Sequence, residues 1–70
     1  MKLICSIEEL KKGDTIIIKD NQKFNSLGFN KVFGEVYQIE SGKSFISIKC
    51  EQTNSIEEVK IDNGLIFLLN

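Results

Sequence analysis

Apolar and polar positions alternate along this chain in short runs, and no helical period lasts beyond a turn or two. Thr15-Ile-Ile-Ile-Lys19 puts Ile16 and Ile18 on one face and Thr15, Ile17 and Lys19 on the other, the two-residue period of a strand, so a first strand is predicted over 14–19. Val32 to Glu40 returns to strand character, with Gly34 marking either a bulge or a close backbone approach. Ser41-Gly42 makes a tight hairpin turn into Ser44 to Cys50. There Ile46, Ile48 and Cys50 share a face, while Phe45, Ser47 and Lys49 take the other and leave Phe45 a candidate for exposure. A polar link over 51–55 leads to a strand over 56–61 with Val59 and Ile61 inward. Asp62-Asn63-Gly64 is a turn signal, after which Leu65 to Leu69 closes the chain as a mostly buried strand.

Two stretches interrupt the alternation. Ser6-Ile-Glu-Glu9 fits a capping box, in which the Ser hydroxyl accepts from a backbone N–H ahead of it and the Glu carboxylate reaches back. One helical turn is expected there, stopped by Gly13-Asp14. Asp20 to Lys31 (DNQKFNSLGFNK) has no sustained period and is rich in Asn, Ser and Gly, so it reads as a long loop between strands, a kind of loop that is often functional in compact domains. Short strands punctuated by turn signals predict an all-β domain, with closure into a barrel as the way to remove exposed edges. A single domain over 1–70 is expected, with a small core, since a chain of this length buries only about 60% of the surface its unfolded form exposes.

Glu9-Leu10-Lys11-Lys12-Gly13-Asp14 with alternating Ile after it resembles the diverging turn and following strand of Src-homology-3 (SH3) domains. The later order of hairpin, polar loop, short turn and final apolar strand is similar as well, so the resemblance covers about residues 9–69. It implies a five- to six-stranded SH3-like barrel with one short helical turn near the N-terminus. Polyproline binding does not come with it, because that function uses an ALYDY-like aromatic segment, a Trp and a late Pro/Tyr pair, and this chain has no Trp, no Pro and one Tyr. Gly13-Asp-Thr-Ile16 and Gly34-Glu-Val36 also resemble the ends of a KOW motif, although the segment between them is longer than that motif allows. Fold resemblance alone assigns no function.

Composition narrows the chemistry. At 41% hydrophobic and 27% charged residues the chain is ordinary for a soluble globular protein. No apolar run approaches the roughly 20 residues that span a bilayer, and the start MKLICS lacks the apolar h-region of a signal peptide, so a cytoplasmic location without a membrane partner is expected. Arg, Ala, Pro, His and Trp are absent while Ile, Lys and Asn abound, a codon bias expected of an AT-rich genome such as that of a low-GC bacterium, a phage or a mobile element. Cys5 and Cys50 form no C-x-x-C pair, and no His exists to complete a zinc site or activate a thiol. They read as buried, reduced, small hydrophobes, with a disulfide between them as the alternative. Glu9 is explained by capping, and Glu57 and Glu58 lie on opposite faces of a strand, where they cannot jointly flank a scissile bond. With no phosphate loop, nucleophile motif or metal-ligand spacing, the chain is expected to be no enzyme, to hold no metal and to need no cofactor.

Lys23-Phe-Asn-Ser-Leu-Gly-Phe-Asn-Lys-Val-Phe33 interleaves lysines with aromatics. Exposed rings there could stack on bases while lysines meet phosphates, or the rings could fold inward and cap the barrel, Phe24 and Phe29 being better placed for exposure than Phe33. Residues 11–34 carry five Lys against two Asp, and 35–62 carry three Lys against six acids, so +3 faces −3 within a net charge of −1. That is short of the basic excess of a duplex binder. The expected contact set is Lys23, Phe24, Phe29, Lys31, Tyr37 and Phe45: aromatic anchors with a lysine rim for a protein partner, or, as the alternative, for RNA or single-stranded DNA. Self-assembly through sheet edges is a third possibility, and the oligomeric state is left open.

Overall fold

The alternating segments form strands whose inward residues are almost all branched aliphatics, the side chains that fit a pleated, half-buried surface best. In the computed structural model, which describes residues 1–40, 42 and 44–69, the elements are β1 (Lys2–Leu3), a 3-10 turn (Ile7–Glu9), β2 (Thr15–Lys19), α1 (Gln22–Ser26), β3 (Lys31–Ile39), β4 (Phe45–Cys50), β5 (Ser55–Lys60) and β6 (Leu65–Leu69). All six strands belong to one antiparallel sheet in the order β1-β6-β2-β3-β4-β5. Consecutive strands β2 to β5 form a meander, and β6 returns to pair with β2. Among the described residues no pairing joins β1 to β5, which stand at the two ends of this order. Of the Ser41-Gly42 turn, Ser41 lies outside the described residues.

Ile16 and Ile18 of β2, Val32 and Val36 of β3, Ile46, Ile48 and Cys50 of β4, Val59 of β5 and Ile66 of β6 make the core, joined by Ile4, Leu10 and Phe24. Gly34 falls in this inward row and marks a close approach, because a Cβ there would lie 3.0 Å from both Ile48 Cδ1 and the Lys49 carbonyl oxygen. The irregularity of β3 comes two residues later, where Tyr37 is the extra residue between the Val36↔Ile48 and Gln38↔Ser47 pairs.

Around the N-terminal turn the capping box forms in both directions. The Glu9 carboxylate accepts from the N–H groups of Cys5 at 2.8 Å and Ser6 at 2.9 Å and pairs with Lys2 Nζ at 3.0 Å. The Lys2 ammonium, followed by these two N–H donors, holds its pKa below the usual carboxylate value. The Leu10-Lys-Lys-Gly-Asp14 turn follows. Its Asp14 carboxylate accepts from Lys11 N–H at 2.8 Å, and the Gly13 N–H and Asp14 carbonyl bond the backbone of Val36, each at 2.8 Å. This turn is therefore fastened to β3 at the bulge.

Three expectations are corrected. The stretch from Asp20 to Lys31 is not all loop: Asn21 caps α1 by accepting from Phe24 N–H at 3.1 Å, and Gly28 (φ +95°) ends it with the paired bonds Gly28 N–H to Asn25 O and Phe29 N–H to Phe24 O. Phe24 is 1% exposed, since this five-residue helix lays it over the open end of the core. Cys5 is exposed, because the strand pairing of the first segment stops at Leu3 and only Ile4 turns inward, whereas Cys50 is buried; both are free thiols.

Candidate functional site

The expected contact residues do not converge. Phe24 is a core residue. Lys23 pins α1 to β5, with its Nζ 2.9 Å from a Glu57 carboxylate oxygen and 3.3 Å from the Glu58 carbonyl oxygen. Phe29 packs half-buried against the core, while Tyr37 stands exposed at the bulge with Lys12 Nζ 5.9 Å from its ring. Phe45, half-buried, opens β4 opposite Lys60. Lys31 and Tyr37 are six residues apart on β3, roughly 20 Å at strand rise. Of the set, only Lys31 belongs to a larger constellation.

That constellation lies on the solvent side of β1, β6, β2 and β3. Cross-strand register places Leu3 beside Phe67, Phe67 beside Ile17 and Ile17 beside Phe33, one apolar row running across four strands. Ile17 at its centre is only 9% exposed although it points away from the core. Phe33 and Phe67 are half-buried, and Leu3 at 44% and Leu65 at 40% are open to solvent. Above the row, Leu65, Lys19 and Lys31 pair across β6, β2 and β3; below it come Leu69, Thr15, Glu35 and, on β4, Lys49.

Lysines are drawn onto the rings, Lys19 Nζ lying 5.7 Å from the Phe67 centroid and Lys31 Nζ 5.5 Å from that of Phe33, within range of the attraction between a cation and an aromatic face. Phe33 is held firmly. Its N–H donates to Gln52 Oε1 at 2.8 Å and its carbonyl accepts from Glu51 N–H at 2.9 Å, which extends the β3–β4 ladder by one side chain. Beside it an open groove of about 340 Å³ is lined by Thr15, Phe33, Glu35, Lys49, Glu51 and Asn54 among others.

Sequence reasoning passes over Leu3, Ile17, Leu65 and Phe67, and it treats Phe33 as the ring least suited to exposure. The signal is present in the alternation itself. A two-residue period that sends Ile16 and Ile18 inward leaves Ile17 outward, and the same period through Leu65 to Leu69 sends Phe67 outward beside it. Registration of the strands turns those isolated apolar residues into one row. No protein-family model matches the chain, and neither a curated protein nor a solved structure does.

Proposed function

We propose that the chain is a non-enzymatic SH3-like barrel that works as a small binding module, engaging a protein through the outer face of β6, β2 and β3. The barrel class is supported by the β6-β2-β3-β4-β5 order and by the Leu10–Asp14 turn fastened to Val36. The contact surface rests on one observation, the solvent-side row of Leu3, Phe67, Ile17 and Phe33. Contiguous apolar surface of this kind, with aromatic residues at its centre and charge at its rim, is what protein interfaces present. Glu35 on the same face and a net charge of −1 oppose a polyphosphate ligand.

Site-specific photo-crosslinking in host cells tests this assignment. A photoreactive residue at Leu65 is expected to give protein adducts, and one at Ile56, on the outer face of β5, is expected to give none. Equal adducts from both positions would remove the assignment. Binding of single-stranded oligonucleotides that falls steeply with salt and is lost on Phe33→Ser/Phe67→Ser would replace the protein with nucleic acid.

A further inference from the structure

Each central strand of this face presents an outward triad centred on an apolar residue: Leu65–Phe67–Leu69 on β6, Thr15–Ile17–Lys19 on β2 and Lys31–Phe33–Glu35 on β3. The β3 triad carries opposite charges at equal spacing on either side of Phe33, each about 7 Å along the strand. Among the described residues neither Lys31 nor Glu35 forms an ion pair within 4 Å, although Lys49 of β4 stands opposite Glu35 in register and Lys31 lies over the Phe33 ring. We infer that the occupant of this face is a second copy of the chain, related by a two-fold axis running along the Leu3–Phe67–Ile17–Phe33 row. This rests on the reading of the face as a protein contact surface and names its partner.

Rotation about that axis, with Lys31 and Lys19 swung off the rings they cover in the single chain, brings Phe33, Ile17 and Phe67 against their counterparts and exchanges the two flanks. Lys31 then faces Glu35 of the second copy, Glu35 faces its Lys31, and Leu65 faces its Leu69. The same charge pair forms twice, as a two-fold interface requires. Two sheets packed face to face cross at about 30°, so tilting the axis by roughly half that angle keeps Lys31 against Glu35. Three strands spaced about 4.8 Å apart with three outward positions each, with Leu3 of β1 at their edge, give a footprint of about 300 Å² per copy. The total, about 600 Å², is half the lower bound of a stable interface, so the dimer is weak and transient.

Sedimentation equilibrium on charge-swap variants tests the pairing. In a Lys31→Glu dimer only carboxylates meet at the two contacts, and in a Glu35→Lys dimer only ammonium groups do, so each variant alone is expected to weaken self-association at least about tenfold. An equimolar mixture of the two single variants is expected to pair again. The introduced carboxylate of one then meets the introduced ammonium of the other at one contact, and native Glu35 meets native Lys31 at the second. The double variant Lys31→Glu/Glu35→Lys is expected to self-associate like the native chain. Circular dichroism checks that each variant is folded. A native chain that stays monomeric to about 1 mM, or a mixture that gains nothing over its components, would overturn the inference. If monomers persist while Leu65 still crosslinks to a protein of different mass, self-pairing fails and the contact surface stands; if Leu65 yields no adduct, the surface itself fails.

Discussion

Ile17 and Ile18 are neighbours on one strand, equally apolar, and stand in two different layers. On Ile18's side the strands contribute branched aliphatics, and Phe24 from α1 closes the end, so Ile18 is 1% exposed. On Ile17's side the neighbours are two half-buried rings and open leucines, with lysines laid over the rings. The outer face of β4 and β5 differs again, pairing Phe45 with Lys60, Ser47 with Glu58 and Lys49 with Ile56. Those two strands are paired over six positions with a largely polar outer side, so the sheet does not require an apolar outer layer in order to form. The layer around Ile17 exceeds what the fold needs, and this excess is what marks it as a surface for contact.

Truncating the two isoleucines gives the largest expected difference. Ile18→Ala removes atoms from a sealed site and is expected to cost about 2–5 kcal/mol, which in a chain whose whole stability is about 3–5 kcal/mol leaves much of the protein unfolded. Ile17 is itself only 9% exposed, but the rings beside it are half-buried and free to relax into the gap, so Ile17→Ala is expected to cost less, about 2 kcal/mol, at the low end of that range. Urea denaturation followed by circular dichroism reads both. Equal losses would make the outer layer a second core and take away the reason to treat it as a binding face.

The inner layer is largely legible in the sequence, because period-two alternation fixes which residues share a face and turn residues fix where strands stop. The capping box at Ser6–Glu9 and the inward assignments of Ile46, Ile48 and Val59 hold as read. What alternation does not encode is register between strands distant in sequence, and the outer row depends on it: Ile17 joins Phe67 only because β6 returns to β2 across some fifty residues of chain. The helix escapes a sequence reading for a different reason. Its five residues are too few to show a 3.6 period, and its signals are the ends alone, Asn21 three residues before Phe24 and Gly28 just before Phe29. Taken together, those ends turn Phe24 inward and release Lys23 for its bond to β5.

Acid should separate the layers by a second route. Glu57 lies on the inward side of β5 opposite Ile48, where Lys23 Nζ at 2.9 Å and Ser55 Oγ at 2.7 Å hold its pKa down, from 4.5 to about 2. A carboxylate whose folded pKa is depressed contributes stability above its unfolded value and loses it as pH falls toward the folded one. Thermal stability is therefore expected to decline between about pH 4.5 and 2, and Glu57→Gln is expected to lower the neutral-pH melting temperature while flattening that decline. Phe33→Ser and Phe67→Ser, on the other layer, should leave the shape of the acid limb unchanged. If they alter it as much as Glu57→Gln does, the two layers are coupled through β3 and are not independent.

The smallest expected effect is the one that bounds the contact face. Ile56 is 48% exposed on the outer side of β5, opposite Lys49, so it resembles Leu65 in apolarity, exposure and a lysine partner in register, and differs in its own strand: the next outward residue of β5 is Glu58, whereas that of β6 is Phe67. Thr suits a strand as well as Ile does, and an exposed site away from packed features tolerates substitution within about 0.5 kcal/mol. Ile56→Thr is thus expected to leave stability and self-association as they were, whereas Phe67→Thr, equally suited to a strand, should abolish association with only a modest loss of stability. Sedimentation equilibrium and urea denaturation on the same samples separate the two quantities. Should Ile56→Thr weaken association as Phe67→Thr does, the interface extends over β4 and β5, and lone exposed hydrophobics on this sheet matter as much as the row that register assembles.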